Sequence, residues 1–361
     1  MKNNTYCIIM AGGIGSRFWP LSKSSTPKQF LDILGMGKSL IRQTYERFLP
    51  VCPKENFLVV TNSEYKNLVL KEIPELTETQ VLQEPFRRNT APCIAYANAF
   101  IRTREKNANI IVTPADHLII NEDAFIQSIE QGIEFTTKKE ALLTLGIKPH
   151  RPETGYGYIQ IGKSEAKTPA FKKVKTFTEK PNTELAKVFF ESGEFFWNSG
   201  IFIWTLTDID QAFEKHLPDI QQLFKNLDDK IGSDIEQETL TQTYTECKNI
   251  SIDYGIMEKA ENVYVQTVNF GWSDLGTWSS LYEYSAQDIN DNAVINGKVL
   301  LYDTKKSIVN VPKDKIAIIK GLENYIVVDS GAELLICPKD NEQQIKQFTT
   351  DIKAEYGDLH L

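Results

Sequence analysis

Short apolar runs alternate with helix-length segments through the first 150 residues. "TYCIIMAG", "NFLVVTN", "TQVLQEP", "NIIVTPADH" and "ALLTLGI" read as strands, each a brief apolar stretch closed by turn residues. Between them "SLIRQTYERFL", "SEYKNLVLKEI", "NTAPCIAYANAFIRTREK" and "DAFIQSIEQGIEFTTKK" read as helices. The last two carry apolar residues at three- and four-residue steps, the mark of an amphipathic helix. Strands alternating with helices predict a mainly parallel, wound sheet covered on both faces. Ligands of such sheets lie beyond the carboxyl ends of the strands, which singles out the loops after residues 10, 84, 114 and 146.

The pattern changes near residue 150, where "GYGYIQIG", "FKKVKTFTEKP" and "NSGIFIWT" read as extended segments inserted into the α/β core. A polar, helix-prone stretch covers about 206–250, followed by "ENVYVQTV" and "GWSDLGTW". Beyond residue 285 short β-like runs recur at fairly even spacing before a helical "NEQQIKQFTTDIKAEY". These predict a small β-solenoid or sandwich, with a spacing too loose for a strict repeat. That tail holds no evident catalytic cluster, so packing or self-association is its expected role. The boundary predicts a catalytic domain over 1–284 and a β-rich domain over 285–361.

Composition narrows the function classes. With 41% apolar and 24% charged residues, the 361-residue chain can bury a sizeable core. Forty basic against 48 acidic residues give a formal charge of −8, which disfavours a bulk electrostatic grip on nucleic acid or anionic lipid. Cysteines 7, 52, 93, 247 and 337 lack any CxxC spacing, which argues against a disulfide framework or zinc site and for a reducing compartment. The apolar run at the N-terminus is too short for a signal peptide, and no later run approaches ~18 residues. A cytoplasmic location is expected.

The loop after the first strand carries Gly12, Gly13 and Gly15, then Arg17 and Lys28 along an arm braced by Pro20 and Pro27. A dinucleotide fingerprint fails because Phe18 stands where the third glycine belongs, and no Gly-Lys-Ser/Thr closes a P-loop. What remains is a turn of free backbone N–H groups backed by two cations, suited to a polyphosphate. Asp116 in "TPADHLI" closes an apolar strand and is placed like a metal ligand, although a turn or capping aspartate has the same appearance. His117 has no second histidine nearby, so a structural role fits it better. Asp274 in "GWSDLGTW" lies in an apolar setting and needs a partner or a cation. Two aspartates with a triphosphate suit Mg²⁺, which takes a few carboxylates plus phosphate oxygens. Glu179 and Lys180 of "FTEKP" would alone pass for a surface pair. "GYGYI" and "WNSGIFIW" supply glycines, a carboxamide and aromatic faces, the materials of a sugar pocket or of ordinary strand packing.

Taken in order, "AGGIGSRFWPLS", "PKQFL", "EPFRRNTAPCIA", "PADH", "ETGYGYI", "FTEKP", "WNSGIF", "SIDYGIMEKA" and "WSDLGTW" resemble the sugar-1-phosphate nucleotidylyltransferases along almost the whole chain. The "RFWP" and "KQF" forms point to the mannose/GDP branch. The resemblance implies an α/β fold: a Rossmann-like, glycosyltransferase-A-like mixed sheet with a small, left-handed β-helix-like C-terminal domain that makes dimer contacts. It implies transfer of GMP from GTP to mannose 1-phosphate with Mg²⁺, by a homodimer that engages neither nucleic acid nor membrane. By the same resemblance Gly12, Gly13 and Gly15 lie against the nucleotide, with Asn89 and Thr90 near its base or ribose. Arg17 and Lys28 are the catalytic cations on the phosphates, and Asp116 and Asp274 bind the metal. Gly155, Glu179, Lys180 and Asn198 serve the sugar phosphate, with Asp253 and Tyr254 nearby. Many relatives continue into a metal-binding domain that isomerises mannose 6-phosphate. With four histidines up to Leu361 and no cluster among them, that second activity is not expected. Two alternatives stay open: a different nucleotide or sugar 1-phosphate, and a non-catalytic sugar-nucleotide sensor.

Overall fold

The computed structural model describes residues 4–165 and 168–361. Among them nine strands build one sheet: β1 (Thr5–Met10), β2 (Phe57–Asn62), β3 (Val81–Glu84), β4 (Asn109–Pro114), β5 (Leu142–Ile147), β6 (Tyr158–Glu165), β7 (Thr168–Thr178), β8 (Phe195–Thr205) and β9 (Val263–Val268). Their order is β3-β2-β1-β4-β8-β5-β9-β7-β6, with β6 also paired to β8. Strands β1 to β4 run parallel, as alternation with helices predicts, and β5 runs parallel to β9. The other half is mixed. β8 lies antiparallel between β4 and β5, and β7 is antiparallel to β6 and β9. The extended segments expected as an insert therefore belong to the main sheet.

The chain divides into two compact units. The first comprises Met1–Gly12, Tyr45–Ala115 and Ile119–Trp272 and contains the nine-stranded sheet. Its helix Thr90–Arg102 is buried continuously from Ala91 to Ile101, more fully than an amphipathic stripe requires. The cause is the packing of the polar-looking stretch 206–250, which folds as helices Leu206–His216, Pro218–Lys225 and Glu236–Glu246. Tyr96 meets Phe224 and Tyr244 there, with ring centroids 6.4 and 6.2 Å away. A helix with cover on every side reads as apolar all round.

The second unit comprises Gly13–Thr44, Asp116–Leu118 and Ser273–Leu361. Its strands are β10 (Ala293–Asn296), β11 (Lys298–Tyr302), β12 (Ile308–Asn310), β13 (Ile316–Lys320), β14 (Tyr325–Asp329) and β15 (Leu334–Pro338). β10, β12 and β14 stack in parallel, as do β11 and β13, and β15 closes antiparallel on β14. Ala293 lies opposite Ile308, fifteen positions on, whereas Ile308 lies opposite Ile326, eighteen on. That inequality is why the coils do not show as a strict repeat. The glycine arm belongs to this unit: Phe18 and Trp19 share an apolar core with Trp278, Ile308, Ile326, Val328 and Leu335.

Candidate active site

In the second unit Lys28 joins the Asp116 carboxylate and the Asp274 backbone carbonyl. This lysine is 4% exposed, and its ammonium contacts Asp116 Oδ2 at 2.8 Å and donates to the Asp274 carbonyl at 2.7 Å. It also sits 5.5 Å from the centre of the Phe18 ring, a cation–π contact. Phe18 itself packs on Trp278 at 5.0 Å. The mismatched phenylalanine is therefore the apolar floor beneath the cation. The arm is closed by Ile14, whose carbonyl accepts from Lys28 N at 3.0 Å and Ser22 Oγ at 2.5 Å. Gly15 adopts φ +74°, and a Cβ there would lie 2.5 Å from the Lys28 Cβ, so only glycine fits this crossing. Arg17 Nε is buried with no hydrogen-bond partner among the described residues. A buried donor left unpaired is costly, and an anion would relieve it.

Burial works to raise the Asp116 carboxyl, but the Lys28 ammonium, with His117, more than cancels this and holds it below its ordinary value. Asp274 precedes Leu275, which takes the left-handed value φ +45°, and its Oδ1 accepts from Gly276 N at 2.8 Å. Strain of that kind collects at functional sites. Among the described residues no three His, Cys, Asp or Glu side chains gather as a metal cluster. Two hard carboxylate donors without a soft ligand fit a divalent cation that completes its shell with phosphate oxygens and water.

In the first unit, the loop after β1 brings Gly12 beside Glu84 at the end of β3. A Cβ on Gly12 would lie 3.6 Å from Glu84 Oε2, in ordinary contact. Glu84 is not among the residues singled out from the sequence, although a carboxylate closing an apolar strand just before Pro85 is a signal. Asn89 (φ +71°) caps helix Thr90–Arg102, accepting from Thr90 N at 2.9 Å. Thr90 Oγ1 accepts from Ile252 N at 2.8 Å. Both residues thus hold backbone, and Thr90 fixes the start of the "SIDY" segment.

That segment leads to a second cluster in the same unit. Asn198 Nδ2 donates to Asp253 Oδ1 at 2.9 Å, while its Oδ1 accepts from Thr144 Oγ1 at 3.0 Å and Gly200 N at 3.2 Å. Asp253 opens a π-helical turn, a geometry common at functional sites. Burial and the nearby Glu179 push its carboxyl up to about 7. Lys180, at φ +47°, reaches back to Glu179 Oε1 at 2.9 Å. The glycine of "GYG" that packs on this group is Gly157: a Cβ there would stand 2.5 Å from Glu179 Oε2. Gly155 instead donates its N–H to Glu153 at 2.9 Å. Tyr254 is half exposed, with its N–H on Ser251 Oγ. An aromatic group lines this region, Tyr156 touching Trp197 at 5.0 Å and Trp272 at 5.2 Å.

A mixed α/β sheet with a glycine loop, a buried lysine and two aspartates defines a nucleotidyl-transfer protein, and comparison with known proteins agrees. Residues 6–291 match the nucleotidyl transferase family, and residues 297–350 match the MannoseP isomerase/GMP-like β-helix domain. The chain belongs to the nucleotidyl transferase family. It is 35% identical to mannose-1-phosphate guanylyltransferase of Salmonella muenchen over 98% of this chain and 74% of that protein. It is 33% identical to the protein of that name from Escherichia coli, over 94% and 74%. A crystal structure of mannose-1-phosphate geranyltransferase from Thermus thermophilus superposes with a TM-score of 0.88 at 31% identity, covering 97% of this chain and 99% of that one. Among the described residues no helix is long and apolar enough to cross a membrane.

Proposed function

We propose that the chain transfers GMP from GTP to α-D-mannose 1-phosphate, releasing pyrophosphate and forming GDP-mannose, in the cytoplasm and with Mg²⁺. The observation that carries this reading is buried Lys28 bridging the Asp116 carboxylate and the Asp274 backbone carbonyl. The names of the relatives at 33–35% identity supply the substrates. Asp116 and Asp274 hold the metal, which when bound offsets charge on the triphosphate. Arg17 and Lys28 bind the phosphates, and Gly12, Gly13, Gly15, Asn89 and Thr90 take the nucleotide. Glu179, Lys180, Asn198 and Asp253, with Gly155 and Tyr254, take the sugar phosphate.

A phosphate oxygen of the sugar attacks the α-phosphorus in line. A new P–O bond forms, the bond between the α-phosphorus and the bridging oxygen breaks, and pyrophosphate leaves. The second pKa of a phosphate monoester lies near ~6, so the nucleophile is already largely dianionic and needs no general base. The barrier lies in bringing an anion to a polyanion, which Arg17, Lys28 and Lys180 offset. The domains act over 1–284 for catalysis and 285–361 for assembly, as a homodimer. Pyrophosphate release across four nucleoside triphosphates and several sugar 1-phosphates tests the reading. GTP with mannose 1-phosphate should be the best pair. Binding of GDP-mannose with no release from any pair would instead mark a sensor.

A further inference from the structure

Among the enclosed carboxylates of the β-rich tail, Glu333 reaches the glycine-rich arm. Glu333 stands in the turn between β14 and β15, its side chain only 8% exposed. Its Oε2 accepts from Lys23 Nζ at 2.6 Å and from Ser330 Oγ, and its Oε1 faces His360 Nδ1 at 2.8 Å. Burial alone would raise this carboxyl, but the bonds from Lys23, Ser330 and His360 outweigh it and bring it down to about 2. Lys23 lies in the glycine-rich arm, between Arg17 and Lys28. It begins a tight turn closed by two backbone bonds with Thr26, at 3.2 and 3.0 Å. A second tie lies four residues earlier, where Trp19 Nε1 donates to the His360 carbonyl at 2.9 Å.

We propose that Glu333 is a positioning residue for nucleotidyl transfer, clasping Lys23 so that the arm presents Arg17 and Lys28 to the triphosphate. This rests on the assignment of Arg17 and Lys28 to the phosphates made above. An exposed ion pair would contribute little. Here the carboxylate is enclosed and satisfied by three side chains, so losing Lys23 or Glu333 leaves an imperfectly paired buried group. The arm has no regular helix or strand of its own beyond short turns. Its geometry depends on such ties and on the apolar seats of Phe18 and Trp19. Small misplacements of charge-stabilising groups are expensive in rate. The tail thereby becomes part of the phosphate-binding apparatus as well as an assembly surface.

The test is a double-mutant cycle in the full chain: Lys23→Met, Glu333→Gln and both together. Each single change should lower kcat/KM for GTP roughly ten- to hundredfold and leave KM for mannose 1-phosphate within about twofold. The double variant should be no worse than the poorer single, since both remove one clasp. Calorimetric affinity for pyrophosphate, measured on the same four proteins, reads the arm without turnover and should weaken in parallel. Unchanged pyrophosphate affinity in both single variants, or losses that multiply in the double, would overturn the proposal. Equal losses for both substrates would also do so, because they mark general destabilisation. If Glu333→Gln does not fold, Lys23→Met, altering a partly exposed side chain, decides alone. A wild-type protein that binds pyrophosphate but releases none from GTP overturns the functional reading and leaves the clasp to be judged on affinity.

Discussion

Tyr244 and Glu84 meet in the interior, the phenol donating to Glu84 Oε1 at 3.0 Å with both side chains buried. Burial pushes the Glu84 carboxyl up to about 7, against the opposing pull of Tyr244 and Arg87. Asp253 reaches about 7 as well. In the unfolded chain both ionise near ~4, so between roughly pH 4.5 and 7 the native state keeps protons that the unfolded state has released. Stability should therefore be highest at the acid side of that window, fall as pH rises through about 7, and then level off. Glu333, held at about 2, works in the opposite sense, but only below about pH 4.5. Denaturant unfolding between pH 5 and 8 should show the decline, on the order of 2 kcal/mol for each raised acid. Glu84→Gln should make the decline shallower. An undiminished slope in that variant would show that Glu84 is ionised in the native protein throughout.

Lys28→Ala deletes the cation between Asp116 and the Asp274 carbonyl while leaving the Lys28 N–H on Ile14. The arm keeps its backbone closure, so the fold should persist and turnover should fall about 10²–10³-fold. Asp274→Ala should lose a comparable amount, and added divalent metal should rescue it poorly. Circular dichroism and steady-state pyrophosphate release check both. Near-normal turnover in folded protein would remove these residues from the site.

Local pattern reveals the strands β1 to β5 and the helices between them, because each is a contiguous run with its own punctuation. It cannot place β8. "NSGIFIWT" reads as extended, but an antiparallel seat between β4 and β5 depends on partners distant in sequence. The coils after residue 290 blur because one rung is fifteen residues and the next eighteen. The chemical loops are legible from residue type and order. Which glycine of "GYG" faces Glu179 is not, because Gly155 and Gly157 are equivalent as sequence and differ only in what packs against them. The arm's attachment to the tail is hidden for the same reason: Lys23 and Glu333 are 310 positions apart.

Gly157 offers a substrate-selective test. A methyl group there would stand 2.5 Å from Glu179 Oε2 and 3.4 Å from Asn198 Cβ, so Glu179 must move. Gly157→Ala should raise KM for mannose 1-phosphate roughly tenfold or more and leave KM for GTP within about twofold. A matching change at Gly155, whose neighbour is Glu153, should do less. Initial rates with each substrate varied in turn separate the two. An equal rise in both KM values would detach Glu179 from the sugar phosphate.

The paired strands β11 and β13 present the surface expected to carry assembly. Their outward positions alternate strictly, Lys298, Leu300 and Tyr302 on one and Ile316, Ile318 and Lys320 on the other. Leu300 lies directly opposite Ile318 and Lys298 opposite Ile316. Ile316 and Ile318 are 69% and 67% exposed, Leu300 and Tyr302 51% and 52%. A contiguous apolar stripe is seldom left in water by a monomer, and lysines at its two ends limit open-ended strand pairing. A second copy of the chain is the partner that a homodimer supplies. Ile318→Asp places a charge at the centre of the stripe, where burial against another apolar face becomes costly. Sedimentation velocity should show wild type at twice the chain mass and Ile318→Asp at once that mass, with unfolding of the monomeric fold little changed. A variant that stays dimeric would move the contact away from these strands.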